Sequence, residues 1–409
     1  MAAAFRALLL REGLVALLVL AALGAGWVIV RRRRGAAAPA CAAAPPPGEP
    51  RWRRLLRIGF GLLWLFDGIL QAQPAMPSGL PSQVIDPTAA SSPPWVQRVV
   101  FWAGAGWTHH PVPAASAAVW IQVGLGIWML AAPRGVPSRL AGMAGAGWGL
   151  VVWVFGESFG GIFAPGLTWL TGAPGSALLY VAAGALIALP ERAWRSPRTG
   201  SLVLAGLGLF LCVMAGLQAQ PRLGYWQGTS HGRPGTLAAM AGEMSQTPQP
   251  RVLSQWVAAF AAFDEAHGFA VNLFVVAALA LTGAAFLSGR PRLAGPALAG
   301  FTALCLADWV LIQDLGFLGG LGTDPNSMIP LILLAASGYL ALLAAAGRLP
   351  VRQAAGHLAL RQAAGRLPLR PRPRRNLRDT AAVPPVAPPA EPTTAPHDLT
   401  SSKRSISYL

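Results

Sequence analysis

Apolar residues fall along this chain in nine blocks long enough to cross, or nearly cross, the roughly 30 Å of a bilayer's hydrocarbon core. They cover residues 13–30, 58–73, 114–132, 140–157, 176–189, 200–218, 268–288, 294–315 and 328–346. The second and fifth blocks are short, and the eighth carries acids. Each predicts a helix, and together they predict an all-α polytopic bundle of nine spans. The blocks group into an N-terminal membrane anchor (1–30), an Arg/Ala/Pro-rich linker (31–53), a first four-helix unit (54–190), a second (200–346) and a basic, Pro-rich, disordered tail (347–409).

Polar positions inside these blocks are the first place to look for function. An ionisable side chain at mid-span costs about 2.5–3.5 kcal/mol on insertion scales, so its retention points to a site. Four acids qualify: Asp67, Glu157, Asp308 and Asp314. Helix-end glutamines Gln71, Gln73, Gln218 and Gln220 and the pre-helix histidines His110 and His267 form a secondary set on the same side. Short apolar helical patterns over 95–102 and 252–263 predict interfacial helices, which as a pair offer lids over that side or simple interfacial anchors. Other features read as structure. Gly145 and Gly149 make a small-xxx-small pair for close helix packing. Trp95, Trp102, Trp107, Trp194 and Trp256 near helix ends fit an interfacial belt. The histidines lack metal-ligand spacing, so no metal is expected.

Charge sets the orientation. Arginines crowd alternate loops: 31–34 and 51–57, then 134 and 139, 192–198, 290 and 292, and the tail. Only Arg6, Arg11, Arg98, Arg222, Arg233 and Arg251 fall on the other side. The positive-inside rule then places the N-terminus outside and the C-terminus in the cytoplasm of a bacterial-type inner (plasma) membrane. This also explains the net charge of +17. A nucleic-acid-binding domain would carry many charges of both signs, whereas only 11% of residues are charged and 54% are hydrophobic. The expected partner is the bilayer, with anionic lipid against the basic cytoplasmic face. Cys41, Cys212 and Cys305 are too scattered for a disulfide framework.

A repeat divides the membrane region. Leu70-Gln71-Ala72-Gln73-Pro74 recurs as Leu217-Gln218-Ala219-Gln220-Pro221. Trp95-Val96 matches Trp256-Val257, His110 matches His267, and an offset of 157 pairs Glu157 with Asp314. Pro174-Gly175-Ser176 answers Pro325-Asn326-Ser327. Two units of four spans each insert in the same sense, which predicts parallel repeats. Asp67 aligns with Met214, so the two units are not equivalent as sites.

Arg57-Ile58-Gly59-Phe60-Gly61-Leu62-Leu63-Trp64, leading to Asp67-Gly68, resembles the first helix of the DoxX/DoxD-like four-helix membrane proteins. That resemblance implies a small membrane subunit, in some members tied to quinone or thiol redox chemistry. The chain is also similar to bacterial membrane proteins with a GESFGG-like segment, which implies no activity. Three functions stay open: a transporter-like or solute-binding protein with an outward polar cavity and no cofactor, a quinone-linked subunit of a membrane complex, and a scaffold whose tail recruits a partner. No reaction is legible in the sequence.

Overall fold

The computed structural model describes residues 1–34 and 48–347. The middle of the expected linker and the tail from 348 onward lie outside the described residues. The described chain is an all-α bundle with a single two-residue hairpin, Thr229–Ser230 against Arg233–Pro234.

The helices are α1 (Ala2–Arg34), α2 (Arg51–Gln71), α3 (Met76–Leu80), α4 (Asp86–Ala89), α5 (Pro94–His109), α6 (Pro111–Ala131) and α7 (Gly135–Val151). They continue as α8 (Ser176–Ala188), α9 (Glu191–Trp194), α10 (Pro197–Gln218), α11 (Thr236–Ser245), α12 (Arg251–Leu287), α13 (Pro291–Leu311) and α14 (Met328–Ala345). Every apolar block falls in a helix. Seven helices are long and apolar enough to cross a membrane. An eighth joins them if α2 and its continuation Met76–Ala89, bent away by 93°, count as one span. The remaining block, α8, is 13 residues long. At 1.5 Å per residue it reaches about 20 Å, short of the hydrocarbon core. The chain is membrane-embedded, and among the described residues seven or eight helices have the length and composition of spans, against nine expected blocks.

Two boundaries move. Arg31–Arg34 belong to α1, and α2 starts at Arg51, so the helices take both ends of the expected linker. The cause is visible at the start of α2. Arg53 is fully buried. Its guanidinium donates to Pro133 O (2.8 Å), Ser138 Oγ (2.6 Å) and Ile187 O (3.2 Å), and it also pairs with Glu49. Arg57 donates to Met129 O (2.7 Å) and Leu130 O (3.0 Å) and closes a two-point bond to Glu49 at 3.0 Å. Trp194, expected in an interfacial belt, is instead buried, with its ring 3.3 Å beneath the Arg53 guanidinium. This clasp joins α2, α6, α7, α8 and α9 at one end of the bundle.

Packing between helices relies on missing side chains. Gly142 of α7 and Gly184 of α8 face each other so closely that a Cβ on either would stand 2.6 Å from the other's carbonyl oxygen. Gly68 does the same for α2 against α6, where a Cβ would meet the Val123 nitrogen at 3.1 Å. Such contacts let helix backbones approach in a bilayer, where tail-like side chains gain little by meeting each other. The core runs through both halves of the membrane region, with Phe60 and Trp64 of α2 edge-on to Tyr180 of α8 at 5.1 and 4.7 Å.

The order of elements from α2 to α8 parallels that from α10 to α14. The chain turns at His110 (φ −133°) between α5 and α6, and α12 kinks at His267 (φ −130°). After α7 and after α13 comes a tight turn of positive φ. Ser158, Phe159 and Gly160 have φ of 49°, 61° and 62°, and Asp314, Leu315 and Gly316 have 48°, 57° and 75°. The indole of Trp153 donates to Pro174 O (2.7 Å) and that of Trp309 to Pro325 O (2.8 Å). Glu157 stands just before the first of these turns and Gln313 just before the second.

Candidate functional site

At the end of the bundle opposite the arginine clasp, a cavity of about 450 Å³ opens between α2, α6, α7 and α8. The segment α3 to α5, which turns sharply away from α2, roofs it with Leu80, Val84, Ile85, Thr88 and Trp107. Thr88 holds that roof down, its Oγ1 lying 3.3 Å from Ser158 Oγ in the turn after α7. The expected lid over 95–102 contributes no lining residue; the cover comes from 80–88 and from Ala103 and Trp107 further along α5. The matching 252–263 is the first half of α12 and stands on the other half of the molecule.

Three acids line the cavity: Asp67, Glu157 and Asp324. No Arg, Lys or His among the described residues lines it. The acids differ in how the protein engages them. Glu157 accepts from Ser176 Oγ (2.6 Å) and from the Ala177 amide (3.1 and 3.2 Å), so it closes the start of α8. Free amides at a helix N-terminus favour a carboxylate there. Burial, reinforced by nearby Asp324, still pushes the Glu157 carboxyl well above the usual carboxylate range. Asp324, in the loop before α14, accepts from the Asn326 amide (2.7 Å) and Thr323 Oγ1 (3.0 Å), and burial raises it as well. Asp67 is 2% exposed, and its Oδ1 makes no well-formed hydrogen bond, the Tyr180 hydroxyl being its one nearby donor among the described residues.

Uncharged groups complete the wall. Gln71 lies one turn beyond Asp67 on α2, and Gln122 lies on the facing α6. Each leaves a buried amide oxygen without a partner, and the Tyr180 hydroxyl and Trp148 indole nitrogen are unpartnered too. Buried polar atoms are almost always satisfied in folded proteins. A cluster of orphans around one cavity marks it as built for something that supplies partners.

Of the expected set, the cavity gathers Asp67, Glu157 and Gln71. Gln73 supports it indirectly, donating to Gly322 O (2.8 Å) and so tying the Asp324 loop to the end of α2. The rest stand elsewhere. Asp308 accepts from Gln313 Nε2 (2.8 Å), and Asp314 accepts from Thr247 Oγ1 (3.0 Å). Burial raises Asp314. Gln218 is enclosed between Thr168 and Asn272, donating to Asn272 Oδ1 at 2.8 Å. Gln220, His110 and His267 are exposed, with His267 stacked on Phe263 at 4.5 Å. Among the described residues, no group of three or more His, Cys, Asp or Glu has the geometry to hold a metal ion.

Sequence reasoning missed Asp324, Gln122 and Tyr180. Asp324 precedes the Pro325-Asn326-Ser327 match, and that recurrence was the signal that could have found it. Gln122 and Tyr180 are polar but uncharged, and an insertion-cost criterion weighs them too lightly.

No family model matches the chain, and neither a curated protein nor a solved structure is detectably similar to it.

Proposed function

We propose that this is a transporter-like, solute-binding membrane protein whose ligand occupies the cavity at Asp67. The observation that carries the reading is the cluster of buried, unpartnered polar atoms around a cavity large enough for a small organic molecule. Ligand sites in helical membrane proteins are commonly built this way, with intramembrane acids facing the bundle interior. The arginine-rich loops support an outward cavity mouth and a cytoplasmic C-terminus in an inner (plasma) membrane, with anionic lipid as the neighbour of the basic face. The paired turns, indole bonds and histidine breaks support two tandem four-helix repeats behind the anchor, the first of them DoxX/DoxD-like.

The quinone-linked alternative draws on the helix-end glutamines and histidines, and of these only Gln71 lines the cavity. The scaffold alternative rests on the tail alone. The test is purification in mild detergent with mass spectrometry of small molecules that travel with the protein. A ligand present in wild type and lost on Ala118→Phe, which fills the cavity, supports the reading. Equal recovery from both proteins, or none from wild type and no uptake defect in the variant, sinks it.

A further inference from the structure

We propose that the cavity takes a small organic cation, a protonated amine with an apolar body, with its ammonium group at Asp67. This rests on the solute-binding reading and narrows it to a ligand class.

The polar inventory decides the sign of the ligand's charge. Three carboxyl groups line the cavity with no basic side chain among them, so an anion finds no counter-charge there. The inventory also decides the hydrogen-bonding sense. Asp67 Oδ1, Gln71 Oε1 and Gln122 Oε1 are unpartnered acceptors on two facing helices, against one unpartnered group that can only donate, the Trp148 indole N–H, and the Tyr180 hydroxyl, which can do either. Acceptors outnumber donors, so a ligand with several N–H donors satisfies more of the set than one offering only carbonyl oxygens. Trp64, Trp107 and Trp148 also line the cavity. Ring faces attract a cation and cover an apolar body. A bare metal ion would find no cluster of ligating geometry among the described residues.

Charge balance adds a second consequence. The titratable groups facing the cavity are Asp67 on α2, Glu157 after α7, Tyr180 on α8 and Asp324 before α14; α6 and the roof contribute none. Without a counter-cation such a set holds protons. An ammonium entering as RNH₃⁺ displaces one H⁺ from the carboxyl set, and the total charge is unchanged. Binding then tightens about tenfold per pH unit while the displaced proton is held.

The experiment uses the full chain in lipid nanodiscs. Phenethylammonium and its neutral counterpart 2-phenylethanol are titrated by calorimetry at about pH 6 and about pH 8. Proton release is followed in weak buffer. The expected result is binding of the amine in preference to the alcohol, stronger at the higher pH, with one proton released per amine. Asp67→Asn lowers the affinity on the order of tenfold to a hundredfold. Gln122→Leu, which keeps every charge, lowers it less. If the alcohol binds as well as the amine, or the affinity is independent of pH, the cation assignment falls and the cavity reading survives. If neither probe binds wild type while another solute co-purifies in the cavity, the assignment falls again. If nothing binds and nothing co-purifies, both fall.

Discussion

Asp67 and Glu157 line one cavity, yet the protein treats them differently. Glu157 has three donors from the start of α8, so it is a strut that also faces the cavity. Its carboxyl is raised by burial and by Asp324. The folded state therefore keeps the proton above the unfolded value of about 4.3. A group of that kind leaves stability unaffected below its unfolded value. Stability then falls as pH rises from there toward the folded value, since the unfolded chain gives up its proton first. Glu157→Gln keeps an acceptor for Ser176 and Ala177 and removes the proton. The expected outcome is a thermal midpoint that declines less from about pH 5 to about pH 8 than in wild type. Parallel declines in the two proteins would show that Glu157 is not the group responsible. Asp67 was legible from sequence because a charge inside a span has no cheap explanation. Its partners were not. Gln122 and Tyr180 cost little to insert, and only the approach of α2 to α6 at Gly68 shows that Gln122 faces the acid.

Helices α2 and α8 show where a hydropathy reading stops. The apolar blocks located both correctly, since burial in lipid and burial in the core ask for the same residues. The arginines at the start of α2 read as a topological label, and two of them proved to be a buried clasp. Arg53 has carbonyl, hydroxyl and carboxylate acceptors as well as the Trp194 ring beneath it. No local pattern marks this, because its hydrogen-bond partners lie up to 134 residues away, in helices that meet only on folding. Arg53→Ala leaves Pro133 O, Ile187 O and Ser138 Oγ without their donor and Glu49 with Arg57 alone, a loss of up to about 3–5 kcal/mol, the scale of a broken buried pair. Arg53→Lys keeps the charge but cannot reproduce the planar fork or the stacking, so it is expected to fall between. Chemical denaturation in detergent measures both. A lysine variant as stable as wild type would show that charge alone holds this end together. Cavity binding, at the far end, is expected to survive in any Arg53 variant that still folds.

The two halves of the membrane region carry similar positive-φ turns, and the polar cavity is walled mainly by the first half. Gln71 leaves an oxygen free, whereas its counterpart Gln218 is engaged on both sides, and Asp67 has Met214 for a counterpart. The turns at 158–160 and 314–316 share a run of positive φ that no hydropathy value records. The second half still contributes to the first. Its loop before α14 carries Asp324 into the cavity, held by the Gln73 bond to Gly322 and by Phe66 against Phe317 at 5.3 Å. Gln73 itself does not line the cavity. If the site depends on the two halves being joined there, Gln73→Ala weakens binding of the cavity's ligand by removing one hydrogen bond worth about 1 kcal/mol, roughly fivefold in affinity. Thermal stability is expected to drop by a similar small amount. Gln73→Glu keeps the length but removes the donor, and its charge faces the carbonyl of Gly322, so it weakens binding at least as much. Affinity unchanged in both variants would mean that the first half builds its site alone and that the loop of the second half is only a cover.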